Sequence, residues 1–290
     1  MKKYLQLLLI LIFSFSLLIN GCGVSPQTTV PVQTDPVQTT AGTLQVHFID
    51  VGQGDAILVQ TPAGQNMLVD AGDNSYGGEV IEYLTSQGVE QLDIVVGTHP
   101  HADHIGGLDT VIDHFPVQKV YLPKVTHTTK TFRDLLAAVK DNGLKVTTAK
   151  AGVDLPLEGL NAYFAAPVED SYESLNNYSA VIKIDYGSHS FLFTGDAEAE
   201  SEAQILSAGT DIKTTVLKVG HHGSSSSTSP EFLQAAAPRY AVIMLGEDNP
   251  YGHPHRETME LLNSAGVEIF RTDRDGTIVF STNGEDIEIN

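Results

Sequence analysis

Four side chains able to hold a metal ion fall within six consecutive positions, His99 to His104, of the run Thr98-His99-Pro100-His101-Ala102-Asp103-His104-Ile105-Gly106-Gly107. The run directly follows an apolar stretch from Leu92 to Val96. No other feature constrains the fold as strongly, because such closely spaced ligands converge on one small volume only where the chain leaves a strand and turns at once. Neutral imidazole and carboxylate suit zinc, manganese or iron. The two glycines then release the chain into a helix. The run therefore predicts an α/β protein with a metal site at the end of a strand.

The rest of the sequence fits that frame. Apolar residues alternate from Leu44 to Ile49 and recur at 56–59 and 66–69, which predicts strands paired across the glycine-rich turn Asp50-Val51-Gly52-Gln53-Gly54-Asp55. Helical patterns follow at 78–87, 105–115, 132–142, 198–207, 230–236 and 256–264, interleaved with strands near Asp93, Lys119, Lys145, Ala162, Ala180, Phe191, Thr215, Tyr240, Glu268 and Thr277. Strands outnumber helices, and both halves open with strand pairs that have no helix between them. The expected architecture is two mixed sheets face to face with helices outside, a four-layer αββα sandwich. Asp70, the His99 loop, Asp196 and His221 each follow an apolar strand directly, so one edge of the sandwich should collect them all.

The His-x-His-x-Asp-His run resembles the metallo-β-lactamase superfamily in every ligand position, and that resemblance implies the same sandwich. Phe191-Leu192-Phe193-Thr194-Gly195-Asp196 taken alone reads as an ordinary turn after a strand. The resemblance makes Asp196 the carboxylate that bridges two metals. In Leu217-Lys218-Val219-Gly220-His221-His222 it makes His221 the last histidine ligand, with His222 beside the site; the alternative is that His222 is the ligand. Asp103, His104, Asp196 and His221 would complete one metal position, whereas His99, His101 and Asp196 supply only part of the other. The histidine that many members place in between has no good counterpart, since His114 falls in a helix, His127 in a loop and His189 in a hairpin turn. Leu175-Asn176-Asn177-Tyr178-Ser179 occupies that region instead. The expectation is two divalent ions, zinc or manganese, one held more weakly or with a harder ion preferred. Asp70 should orient a ligand by hydrogen bonding. Asp50 and Asp55 read equally as turn formers or as site residues, and His253 as a substrate contact or a helix-capping histidine.

Further runs narrow the resemblance: Phe48-Ile49-Asp50-Val51-Gly52-Gln53-Gly54-Asp55-Ala56, Leu68-Val69-Asp70-Ala71-Gly72, His221-His222-Gly223-Ser224 and Asn249-Pro250-Tyr251-Gly252-His253-Pro254. Together with Asn176-Asn177-Tyr178-Ser179 they look like the hydrolase domain of ComEC-type competence proteins, the DNA-uptake family. Missing is the multi-span channel joined to that domain, so the chain reads as a stand-alone relative with such a channel as an expected partner. The resemblance implies metal-dependent cleavage of a phosphodiester, DNA foremost, by a metal-activated hydroxide. Asp103 serves at the catalytic centre, and His222 or His253 donates a proton to the leaving group. Two other readings stand beside it. One is hydrolysis of a small ester, lactone or phosphorylcholine-type surface substrate; the other is a non-catalytic surface receptor for DNA.

The first residues, Met1-Lys2-Lys3 and an apolar stretch to Ile19, read as a secretory signal over 1–21. Ile19-Asn20-Gly21-Cys22 resembles a lipoprotein processing site, and Cys22 is the single cysteine of the chain, so no internal disulfide competes for it. Lipidated Cys22 would anchor the protein to the membrane from outside the cytoplasm. Residues 22–42, rich in Thr, Gln, Val and Pro, read as a tether, leaving 43–290 as the hydrolase domain. The formal net charge of -20 argues against broad electrostatic adhesion to nucleic acid. It leaves room for a phosphate substrate whose charge is met by metal ions.

Overall fold

The computed structural model describes residues 42–290. The expected signal, Cys22 and all but the last residue of the tether lie outside the described residues.

Strand β1 (Leu44–Phe48) pairs antiparallel with β2 (Ile57–Gln60), which pairs antiparallel with β3 (Asn66–Val69). From β3 onward the sheet turns parallel, through β4 (Leu92–Val96), β5 (Val117–Pro123) and β6 (Val146–Ala149). A second sheet begins with the antiparallel strands β7 (Asn161–Phe164), β8 (Ile182–Tyr186) and β9 (His189–Phe193). It continues parallel through β10 (Val216–Lys218), β11 (Tyr240–Ile243) and β12 (Glu268–Arg271). The chain then returns to the first sheet, where β13 (Ile278–Thr282) pairs with β1 and with β14 (Ile287–Ile289).

Period-two patterning decides what lies between the sheets. Val46 and Phe48 of β1, Ile94 and Val96 of β4, Phe191 and Phe193 of β9, and Val216 of β10 share one apolar cluster. The intervening residues Leu58, Leu68 and Val95 face a second cluster with α1 (Gly77–Ser86), α3 (Leu108–His114) and α4 (Lys130–Asp141). Leu192, Leu217, Ala241 and Ile243 face a third with α5 (Ala199–Ser207), α6 (Pro230–Ala236) and α7 (Arg256–Ser264). Each helix presents a stripe, as in α4, where Phe132, Leu135, Ala138 and Val139 are buried. The layers are therefore helix, sheet, sheet, helix, as the strand-rich pattern predicts.

The helix expected over 105–115 is in fact two: α2 (Ala102–Ile105) and α3, broken at Gly106-Gly107. Asp103 and His104, the second half of the ligand run, lie in the helical turn α2, and the break follows from close packing on the loop after β3. A Cβ on Gly106 would lie 2.3 Å from the Asn74 backbone nitrogen, and one on Gly107 would lie 2.4 Å from the Ala71 carbonyl oxygen. The short helix α8 (Thr272–Asp275) and the edge strand β14 were not expected from sequence.

Candidate metal centre

In parallel strands the C-terminal ends point the same way, and four of them meet here. Asp70 follows β3, His99 follows β4 by three residues, Asp196 follows β9, and His221 and His222 follow β10. One bond ties the two sheets together at this edge, from the Ala180 amide to the Thr98 carbonyl (3.0 Å), while two more fix the loops of the second sheet to one another, from the Asp196 amide to Ser179 Oγ (3.0 Å) and from the His221 amide to the Gly195 carbonyl (3.1 Å).

Asp196 is the hub. Its Oδ1 lies 3.2 Å from His104 Nε2 and 3.6 Å from His222 Nε2. Its Oδ2 lies 3.7 Å from both His99 Nε2 and His221 Nε2. Asp103 Oδ2 joins the first side, 3.4 Å from His222 Nε2 and 4.0 Å from His104 Nε2. His101 joins the second, its Nδ1 3.0 Å from His99 Nε2. Two groups of ligand atoms thus share one carboxylate: Asp103, His104, Asp196 and His222 in the one, His99, His101 and Asp196 in the other.

The expectation that His221 stands with Asp103 and His104 is corrected by this geometry, in which His222 holds that place. Both residues adopt left-handed backbone conformations, φ 48° and 52°, so their side chains splay to opposite sides of Asp196. Two such non-glycine residues in succession cost roughly 1–3 kcal/mol each, a strain that packing must hold in place. His221 instead approaches the side where the sequence offers too few histidines. Asn176 donates through Nδ2 to Glu198 and lies 3.4 Å from His221 Nδ1, while Asn177 Oδ1 accepts from the Glu198 amide at the start of α5. The asparagines thus brace His221 and the helix.

The donor set suits metal ions. His104 Nε2, His222 Nε2 and Asp196 Oδ1 are all buried without a hydrogen-bond partner, an expensive arrangement unless a cation receives their lone pairs. Their outer atoms are fixed so that these lone pairs point inward. His104 Nδ1 bonds Asp70 Oδ2 (2.8 Å), and Asp70 is itself held by the Thr98 amide and hydroxyl. His222 Nδ1 bonds the Met244 carbonyl (2.8 Å). Such outer contacts set the tautomer and orientation of a ligand imidazole.

Two residues that sequence reading left undecided or passed over complete the centre. Asp55 is buried, with Oδ2 2.5 Å from Lys218 Nζ and 3.7 Å from His104 Nδ1, and with Oδ1 3.5 Å from His222 Nδ1. Lys218, fully buried, also donates to the Gly195 carbonyl and lies 3.9 Å from Asp196 Oδ1. Alternation along β10 had signalled it, since Val216 faces the space between the sheets and Lys218 must do the same. Asp50, by contrast, accepts from the Gly52 amide as a turn former.

Charge explains how these groups ionise. Burial works against the charged form of His104, but Asp196, Asp55 and Asp103 hold it well above the usual imidazole range. His222 is raised for like reasons, again against burial. Burial alone would raise Asp196; His104, His222 and His99 hold it well below the carboxylate range. His253 differs. Burial first, then His222, His221 and His255, lower it to about 4, so it is neutral at pH 7 and a weak candidate for delivering a proton. It lines a cavity of about 270 Å³ that opens onto the centre, with Gln53, Asp103, His222 and Tyr251.

The profile of the Metallo-beta-lactamase superfamily matches residues 49–247. The chain is 34% identical over 253 residues to ComE operon protein 3 of Bacillus subtilis, covering 81% of this chain and 33% of that protein. It is 35% identical to Recombination protein 2 of Haemophilus influenzae, covering 78% of this chain and 27% of that one. It thus spans about a third or less of each relative's length. Among solved structures, the metallo-beta-lactamase fold protein YhfI from Bacillus subtilis superposes with a TM-score of 0.56 at 15% identity, over 83% of this chain and 100% of that one. With a matched profile over most of the chain and a strand-end ligand cluster divided by one aspartate, this protein belongs to the metallo-β-lactamase superfamily and has competence proteins among its relatives.

Proposed function

We propose that the protein is a metal-dependent phosphodiesterase, with nuclease action on DNA or a related phosphodiester as its natural work. The observation that carries this reading is the division of Asp196, whose two oxygens each face a separate set of imidazoles. Two divalent cations held there, zinc or manganese, would polarise a phosphoryl oxygen and lower the pKa of water toward ~7.

The protein's own part is positional. His104 and His222 are held by Asp70 and by the Met244 carbonyl, so the ligand atoms need little rearrangement to receive a cation. Asp103 lies at the cavity wall, where a reacting phosphate would meet the centre. His253 and Gln53 line the same wall, where their side chains border the space a substrate would occupy. The names of the relatives, which refer to competence and recombination, support nucleic acid as the source of the phosphodiester. The leader and Cys22 support an extracytoplasmic, lipid-anchored setting, and the resemblance to competence proteins suggests a DNA-uptake channel as partner.

The test is metal-dependent cleavage of bis(p-nitrophenyl) phosphate and of oligonucleotides by wild type, Asp103→Ala and Asp196→Ala. Both variants should keep the fold, read by circular dichroism, and lose hydrolysis. Full activity in either would contradict the proposal.

A further inference from the structure

Three large apolar side chains are exposed among the described residues, and Tyr251 is much the most open at 63%, against 42% for Val146 and 38% for Leu136. Unlike the other two, it lines the cavity of the metal centre. Its ring lies over that of His253, centroids 5.6 Å apart and planes 23° apart. His253 in turn lies over His222, at 6.2 Å and 30°. A ladder of rings therefore runs from the Asp103 side of the centre to solvent and ends in a tyrosine whose exposure leaves ring surface free.

The loop that carries the ladder is braced. Asn249 donates through Nδ2 to the carbonyls of Gly246 and His253 and accepts the His253 amide at Oδ1. The loop backbone is thereby held in place, so a ring laid on Tyr251 need not order the loop as well. Charge narrows what that ring belongs to. Among the described residues no lysine or arginine lines the cavity, and the chain is strongly acidic, so phosphates on either side of the reacting one meet no cationic groove there. Affinity for a nucleic acid must then come from the centre itself and from stacking, which is open to any base but only when that base is free of its duplex neighbours.

Resting on the phosphodiesterase reading, we propose that Tyr251 is the stacking platform for the base next to the scissile phosphate, and that unpaired nucleic-acid strands are the substrate class. The experiment measures binding by fluorescence anisotropy, using the metal-loaded full chain and two labelled phosphorothioate-linked strands of equal length, one of thymidines and one abasic. Wild type should bind the thymidine strand about ten-fold or more tightly than the abasic one. Tyr251→Ala should abolish the difference, and Tyr251→Phe should keep it. Equal affinity of wild type for both strands, binding of neither, or a preference that survives Tyr251→Ala would overturn the proposal. So would displacement of the strand by phosphocholine coupled with a Tyr251→Ala defect confined to phosphocholine, because the platform would then receive a quaternary ammonium group. Cleavage of bis(p-nitrophenyl) phosphate by the same preparations reports separately on hydrolysis. A strand bound through its bases by a protein that cleaves nothing would sink the phosphodiesterase reading and leave the platform standing.

Discussion

Buried histidine occurs in two regions with opposite character. His47, on the outer face of β1, is 2% exposed, and its Nδ1 contacts the Tyr83 hydroxyl of α1 at 2.9 Å. Burial pushes its imidazole down to about 4, only partly offset by the nearby Gln60 amide. His104 and His222 are at least as deeply buried, yet they are raised, because carboxylates surround them. Burial alone yields a neutral structural histidine. Burial beside Asp55, Asp103 and Asp196 yields a place that calls for positive charge, which protons supply in part and divalent cations would supply more fully.

The metal centre repeats the contrast on a smaller scale. On the Asp103 side every imidazole is buried and anchored from behind. On the other side His221 is 24% exposed at its side chain and His101 is only partly buried. The closed side should hold its ion tightly and the open side weakly.

The largest effect that would sharpen this contrast lies behind the closed side. Removing Lys218 alone leaves Asp55 buried and unpaired, at a cost of about 3–5 kcal/mol. The double variant Asp55→Asn/Lys218→Met removes both charges and should fold nearly as well as wild type, but with metal affinity on the Asp103 side lowered by about 10–100-fold, since two ligand imidazoles lose the negative charge beside their outer nitrogens. Chemical denaturation and metal titration measure the two effects. Unchanged metal affinity in the double variant would reduce the pair to a structural role.

How much of this was legible beforehand depended on distance along the chain. The ligand run, the strand-end aspartates and the four-layer arrangement are local patterns, written in consecutive residues or in alternation. The partition of His221 and His222 was not legible, because adjacent positions become distinct only through a pair of left-handed backbone angles that no composition rule demands. Asp55 was undecidable for another reason: its meaning depends on Lys218, which lies 163 positions away and reaches it only across the gap between the sheets. Asn176 and Asn177 carried the opposite lesson, since a run beside the motif region proved to brace α5 and His221.

A smaller effect tests the other region. His47 has a folded-state value of about 4 against an ordinary value of 6.5, so the unfolded chain binds more protons between those limits. Stability contributed by neutral His47 is therefore complete above pH 6.5 and is lost as pH falls toward 4. His47→Gln should flatten the fall in denaturation free energy over that window relative to wild type. Identical slopes would mean that burial of His47 is not what sets its protonation.

The central claim, that Asp196 divides a closed cation position from an open one, is tested most directly by calorimetric titration of metal-depleted full chain with manganese or zinc, for wild type and His222→Ala. Wild type should show two binding events per chain, separated by at least about ten-fold in affinity, a spread expected when the supporting contacts differ. His222→Ala should lose the tight event and keep the weak one. A single event per chain, two events of equal affinity, or an unchanged tight event in His222→Ala would contradict the account.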